Sequence, residues 1–454
     1  MALIFYDFET TELSKLGQIL NFSFIVTDEH FSIIDEYSDL VRIERTVLPH
    51  PRAILTNRVD VIDHQARAKL SEYEAVRAIA HFLSAQANKA SDEPLCLVGY
   101  NSARFDLPYF HTTFIRNGMS PFGKWRNVDL FLLSQKLYHR EEWFREHLCK
   151  SQCESGKRDS ISLSLENLCS SFGVLTGAQS HESRDDVLLT IELAKYFSSK
   201  GAHISSQYFF EAPRSASPGD VFWAIRPWPN LESTVSPFLL LSREGNGTIW
   251  GDLEHARKLI DGEQGSLRDS CRYIQKANRF FLADEGEIEP YHEVITELKK
   301  QFLNVSFQDF YGENSCDLED DIFRFPIPHL SELHRLFERE ISLSALRGGE
   351  KEARDLFLRH RLREYVWGGE HDELVWSKFQ DFAKQRFGGE CLMKRGDFYP
   401  SFQDLMDEAQ KAESESNSDS DQKLIRNLIR FYEESDIARA LEGAYPESFQ
   451  QKSE

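Results

Sequence analysis

Apolar runs of strand length and helical periodicities alternate through the first 200 residues. Ala2–Asp7 and Leu20–Thr27 read as strands, the second ending in a turn at Asp28-Glu29-His30. Phe31–Arg42 is a third strand region, and the three predict an antiparallel meander. Tyr73–Ala87 sets Ala75, Ile79, Phe82 and Leu83 on one helical face. Cys96–Tyr100 is a short buried strand, and a helix is expected soon after Asn101. Val128–Lys136 is a largely apolar run with a single acid, Asp129, and starts another helix. Leu163–Phe172 is helical and stops at Gly173, a residue suited to a C-cap. Asp185–Ser199 closes the region as a helix burying Val187, Leu188, Ile191, Ala194 and Phe197. This alternation is an α/β pattern.

Beyond residue 201 the pattern changes. Ala212–Asp220 is rich in Pro, Ser and Gly and reads as a boundary. Val221–Arg226, Phe238–Ser242, Thr248–Asp252 and Phe280–Asp284 are short strands separated by turn residues, with a hairpin signal at Gly245-Asn246-Gly247. A helical insert is expected near Tyr291–Phe302, and Phe325-Pro326-Ile327-Pro328 reads as a second linker. From Leu330 onward the pattern is helical, with Leu333, Leu336, Phe337 and Ile341 on one stripe. Ala412–Gln422 is low-complexity and acidic, and is expected to be a mobile loop between helices.

A chain of 454 residues exceeds one core, so two or three domains are expected. The net charge of −21 argues against broad electrostatic capture of nucleic acid, but not against a narrow basic groove. Seven scattered cysteines suit free thiols in a reducing cytoplasm. No apolar segment approaches membrane-span length, and the opening lacks a signal-peptide pattern. Cys149, Cys153 and His147 lie close together, but no second Cys/His pair answers them as a zinc site needs.

The acids carry the chemistry. Asp7 and Glu9 interrupt the first apolar run, and their i, i+2 spacing on a strand points both to one face. Two carboxylates on a buried strand are costly without a cation or a partner. Asp106 precedes one helix, and Asp186 lies in the first turn of another, with His181 five residues earlier. Taken singly, each has a plain alternative: Asp106 as a cap, Asp186 as a first-turn acid, His181 as a surface histidine. Together they are what two-metal cleavage of a phosphodiester needs. Hard divalent cations take oxygen ligands, and two of them about 3.5–4 Å apart clamp the attacking and leaving oxygens. An imidazole can then take the proton of the attacking water.

Asp7-Phe8-Glu9, Asn101–Asp106 and the His181-x4-Asp186 spacing resemble the DnaQ-like exonucleases of the DEDDh subgroup. Within that superfamily, YDFET (6–10), GYNSARFD (99–106) and RHRLRE (359–364) are similar to the bacterial exonuclease I branch. The resemblance implies a ribonuclease-H-like exonuclease domain over residues 1–201, a small β-rich SH3-like module over 202–328 and a helical C-terminal domain over 329–454. It implies 3′→5′ degradation of single-stranded DNA to 5′-mononucleotides with two Mg²⁺ ions, Mn²⁺ being an alternative. Asp7 would bridge both ions, Glu9 and Asp186 would complete one site, Asp106 would serve the other, and His181 would be the general base. The turn bearing Thr10, Thr11 and Leu13 touches the terminal nucleotide in relatives, and Asn101, Arg104 and Phe105 are further candidate DNA contacts. Two features depart from the pattern. Glu12 stands where a glycine is common, and Ser162–Glu166 lacks an arginine that relatives tend to carry.

On a helix, Arg359 and Arg363 share a face while Arg361 points nearly opposite. One face is expected to meet strand phosphates or the acidic C-terminal tail of a single-stranded-DNA-binding protein, the other to stay locally paired. A cytoplasmic monomer is expected. The alternatives are a DEDDh exonuclease acting on RNA or proofreading duplex ends, and an inactive nucleic-acid-binding scaffold.

Overall fold

The structure is a computed structural model that describes residues 2–14, 17–89, 94–121, 123, 125–154, 161–174, 183–202, 204, 216–225, 235–244, 247–275, 287–306, 309, 373–389 and 399–444. His181, Arg359, Arg361 and Arg363 lie outside the described residues, as do the strand expected at Phe280–Asp284 and the helices expected over 330–367.

The first strands are β1 (Leu3–Thr10), β2 (Ile19–Thr27) and β3 (Ile33–Leu40), the expected antiparallel meander. Two short helices follow, α1 (Pro51–Asn57) and α2 (Val61–Arg67), then α3 (Glu72–Lys89) and β4 (Leu95–Gly99). The chain continues through α4 (Asp106–Arg116), β5 (Trp125–Asp129), α5 (Leu130–Arg140), α6 (Glu142–Leu148), α7 (Leu165–Ser171) and α8 (Ser183–Ser199). The sheet order is β3-β2-β1-β4-β5, with β4 and β5 running parallel to β1. This is the expected α/β fold.

Alternation along β1 sets both faces of the sheet. Ile4, Tyr6 and Phe8 pack with Ala75, Val76, Ile79 and Leu83 of α3 and with Tyr109, Phe110 and Phe114 of α4. Leu3 and Phe5 face the other way, in a cluster with Val187, Ile191 and Ala194 of α8. Sequence reading missed β5 because Trp-Arg-Asn-Val-Asp has too few apolar positions to show a period. It forms because the sheet edge at β4 needs a partner, pairing Leu95–Gly99 with Trp125–Asp129. The apolar run from Val128 becomes helix only at Leu130.

A second sheet orders β6 (Val221–Ile225), β7 (Val235–Glu244), β8 (Gly247–Asp252) and β9 (Cys271–Gln275) as an antiparallel meander. Between the last two lies α9 (Leu253–Ile260), and α10 (His292–Phe302) packs Val294, Ile295 and Leu298 against Leu239 and Leu241.

The C-terminal helices are α11 (Glu373–Phe387), α12 (Phe402–Glu415), α13 (Asp419–Glu433) and α14 (Asp436–Glu442). They share one apolar cluster with the N-terminal region: Trp376, Phe379, Ile425 and Leu428 pack with Leu20, Ile43, Ile54 and Val61. Along this seam the Tyr432 hydroxyl donates to the Pro49 carbonyl, and Asn427 Nδ2 lies 2.9 and 2.8 Å from the two Asp60 carboxylate oxygens. The acidic stretch 412–422 differs from expectation. Its ends are helical and only 416–418 connects α12 to α13. The Ser418 hydroxyl accepts from Asp421 N, acids in the first turn complement the helix dipole, and Arg426 pairs with Glu413 at 3.1 Å. Among the described residues, no helix is long and apolar enough to cross a membrane.

Because the seam is one apolar cluster, Leu428→Ala should cost about 2–5 kcal/mol, the usual cost of a buried leucine truncation. Hydrogen exchange should then accelerate in α1 and α2 as well as in α13. Acceleration confined to α13 would show that the two regions unfold independently.

Candidate active site

At the carboxyl end of β1 the residues on the α8 face change from Leu3 and Phe5 to Asp7 and Glu9. Pairing with β2 stays in step through Glu9, so both carboxylates project to that face. Helix α8 lies across it, and the packing of Val187 and Ile191 brings Asp186, one residue earlier, over the acids. One carboxylate oxygen from each of Asp7, Glu9 and Asp186 lies within 4.8 Å of the others. The three are half-buried, and among the described residues no other group of three or more His, Cys, Asp or Glu side chains is arranged to hold a metal ion. The neighbourhood of Cys149 and Cys153 has other uses: His147 Nε2 lies 2.7 Å from the Ser171 carbonyl.

Asp106 arrives from the opposite side. Pairing of β1 with β4 runs only from Leu3 to Phe5, which leaves Phe8 beyond the end of β4. The Phe8 N–H donates to Asp106 Oδ1 at 3.0 Å, so the first residue of α4 is tied to the backbone between Asp7 and Glu9. The four acids thus meet where the strands of an open α/β sheet end, a common place for ligands.

Their electrostatics follow from crowding and desolvation. Burial raises Asp7 well above the usual carboxylate range, with Asp106, Glu9 and Asp186 adding repulsion. Burial also raises Glu9, followed by repulsion from Asp186 and Asp106. Asp106 is pushed up to about 7, by burial first, with the Phe8 N–H opposing the rise. An oxygen-only donor set with this much repelling charge fits a hard divalent cation, which removes the repulsion and takes carboxylate ligands.

The loop leading to Asp106 is held by a residue whose role sequence reading missed. Asp129, at the end of β5, accepts from Asn101 N and Phe131 N through Oδ1 and from Ala103 N through Oδ2, all at 2.9 Å. It is at once the N-cap of α5 and the anchor of the 101–103 turn. An acid between a strand and an apolar helical run is a capping signal that could have found it. Asn101 has φ of 57°, a left-handed conformation that asparagine tolerates better than most residues. Arg104 is exposed beside this turn. Phe105 is half-buried, with its ring 5.2 Å from that of Tyr109.

After Glu9 the turn is built inward. Thr10 and Thr11 are buried: Thr10 Oγ1 donates to the Glu12 carbonyl at 2.9 Å, and Thr11 Oγ1 accepts from Gln18 N at 2.8 Å. Their hydroxyls therefore shape the turn from within. Leu13 is the exposed member, with 71% of its surface accessible.

The raised value of Asp106 gives a signed prediction. A carboxyl whose folded value lies above its ordinary one adds stability at low pH that is lost as pH rises through about 7. In chelator, Asp106→Asn should melt above wild type at pH 8, and the difference should shrink towards pH 6. Adding Mg²⁺ at pH 8 should reverse the order, because only wild type keeps all four carboxylates. A melting difference that ignores both pH and Mg²⁺ would refute this account.

Comparison with known proteins agrees with the geometry. Residues 4–194 match the exonuclease family RNase_T. Exodeoxyribonuclease I of Escherichia coli is 26% identical over 287 residues, which is 59% of this chain and 57% of that relative's length. Among solved structures, exonuclease I from Methylocaldum szegediense superposes with a TM-score of 0.68 at 16% identity, covering 96% of this chain and 99% of the other. The zinc-bound complex of E. coli exonuclease I with single-stranded DNA gives a TM-score of 0.66 at 17% identity, over 96% and 99% of the two chains. Residues 4–194 are thus similar to the RNase_T exonuclease family, and the chain is similar, in part of its sequence and in its fold, to bacterial exonuclease I.

Proposed function

We propose that this protein is a divalent-metal-dependent 3′→5′ exonuclease that degrades single-stranded DNA to 5′-mononucleotides. The observation that carries the reading is the meeting of Asp7, Glu9 and Asp186 at the end of β1, with Asp106 tied in through Phe8 N–H. The fold likeness to exonuclease I along nearly the whole chain supports it. In this reading residues 1–201, 202–328 and 329–454 are the nuclease domain, the SH3-like module and the helical domain.

Asp7, Glu9, Asp106 and Asp186 would hold two Mg²⁺ ions, which would supply positive charge to the reacting phosphate. The chain's own residues do the rest. Asp106 and the Phe8 backbone orient one another. Leu13, exposed on the turn after Glu9, offers an apolar surface to the terminal base. Arg104, exposed next to the carboxylates' loop, offers a cation to the strand backbone, and Asn101 and Phe105 flank it. His181 would take the proton of the attacking water. That role rests on its place two residues before α8, the helix that carries Asp186, and on an imidazole pKa near working pH. Among Arg359, Arg361 and Arg363, one helical face would engage phosphates or the acidic tail of a single-stranded-DNA-binding protein. The enzyme is read as a cytoplasmic monomer.

A 5′-labelled oligonucleotide incubated with Mg²⁺ should shorten as a ladder from its 3′ end, faster when single-stranded DNA than when duplex or RNA. Internal cutting, undiminished activity in excess EDTA or a preference for RNA would each defeat the reading. His181→Ala should lower kcat by roughly 10²–10⁴, the scale of general acid–base catalysis, and leave DNA affinity intact. Wild-type turnover in that variant at saturating substrate would remove His181 from the mechanism. For the arginines, an Arg→Ala variant that weakens DNA binding and flattens its salt dependence marks a phosphate contact. One that loses only binding of the acidic tail peptide marks a partner contact.

A further inference from the structure

Glu12, on the active-site turn, reaches into the C-terminal region. It is buried, and its Oε1 accepts a hydrogen bond from the Tyr399 hydroxyl at 2.6 Å, across 387 positions of sequence. Tyr399 is itself buried, and the Arg386 guanidinium lies over its ring at 4.0 Å. The main chain of Glu12 is held as firmly as its side chain, because its carbonyl accepts from Thr10 Oγ1 and from the Tyr109 hydroxyl of α4. Gly17 completes the arrangement: a Cβ there would collide with Cγ of Glu12. The small residue of this turn sits where the glutamate side chain crosses it.

A buried carboxylate needs good partners, and a charge-assisted bond from a tyrosine is a strong one. Here the partner belongs to neither the strand nor the helices of the nuclease core. The Glu12 side chain therefore ties the turn between β1 and β2 to the C-terminal region. That turn begins directly after Glu9 and exposes Leu13. We infer that Glu12 is a positioning residue, through which Tyr399 and Arg386 set the turn that presents Leu13 to the substrate strand. The inference rests on the exonuclease reading above for its catalytic consequence, but not for the coupling itself.

Tyr399→Phe removes the donor with little change of shape, and Glu12→Gln removes the charge. Backbone amide exchange should accelerate in both at Thr11, Gly17 and Gln18, whose N–H groups close the turn onto Gln18 O, Ser14 O and Thr11 Oγ1. On single-stranded DNA, kcat should fall about tenfold; small misplacements at an active site can cost as much as about 10²-fold. Calorimetric affinity for Mn²⁺ should stay within about twofold of wild type, since the ligands on β1 precede the turn. The double variant should cost little more than either single one, as expected for two members of one contact. Asn427→Ala is the control. It removes another hydrogen bond across the same seam, to Asp60, and should lower the melting temperature without altering turnover or exchange in the turn.

If Tyr399→Phe behaved like Asn427→Ala, losing melting temperature alone, the positioning role would be overturned. Faster exchange with unchanged kcat would overturn it too, leaving a plain structural contact. A wild-type protein that cleaves no DNA would defeat the exonuclease reading instead. The exchange measurement would still decide whether the C-terminal helices hold the turn.

Discussion

Asp7, Glu9 and Asp186 repel one another at the end of β1, and apolar packing holds them there regardless. Leu3 and Phe5 seat the strand against Val187, Ile191 and Ala194, so the helix cannot withdraw Asp186 without opening that cluster. Partial burial strengthens the repulsion by lowering the local dielectric. The result is a rigid concentration of negative charge whose natural relief is a cation or a proton. Stability is given up at this point to hold the carboxylates together. The cost is borne by the two layers of side chains on either face of the sheet.

Asp106 shows how the remaining parts are tuned to that charge. Its carboxylate is held by the Phe8 N–H, which lies beyond the end of β4, so the early end of that strand makes room for an anchor. Asp129 does the same one strand further out. Its oxygens collect the N–H groups of the loop that would otherwise leave buried donors unsatisfied. Both acids act on geometry through main-chain hydrogen bonds. The positions they fix run from Asn101 to Asp106.

The C-terminal helices extend this logic over a longer range. Their apolar side chains fill one cluster with α1, α2 and the start of β2, and hydrogen bonds at Pro49 and Asp60 register the two halves. The same interface reaches the active-site turn through the hydrogen bond from Tyr399 to Glu12. A glutamate at this position is intelligible only with its partner in view.

The sequence by itself determined the elements whose period is strong. The meander of β1 to β3, the helix carrying Asp186 and the four acids were legible, because alternation and interruption of an apolar run report directly on a strand's own faces. Where local signal was weak or misleading, tertiary structure decided. Trp-Arg-Asn-Val-Asp became β5 because β4 offered an edge, and α1 and α2 formed short because Pro51 starts one and Asp60 caps the other. The acids at 412–422 became helix ends because serine caps and an Arg426–Glu413 pair compensated their charge. The buried positions of Thr10 and Thr11 and the partner of Glu12 depend on residues far away in the chain. Periodicity describes one segment against its own neighbours, whereas a site and a seam are made by segments that meet only once the core has closed.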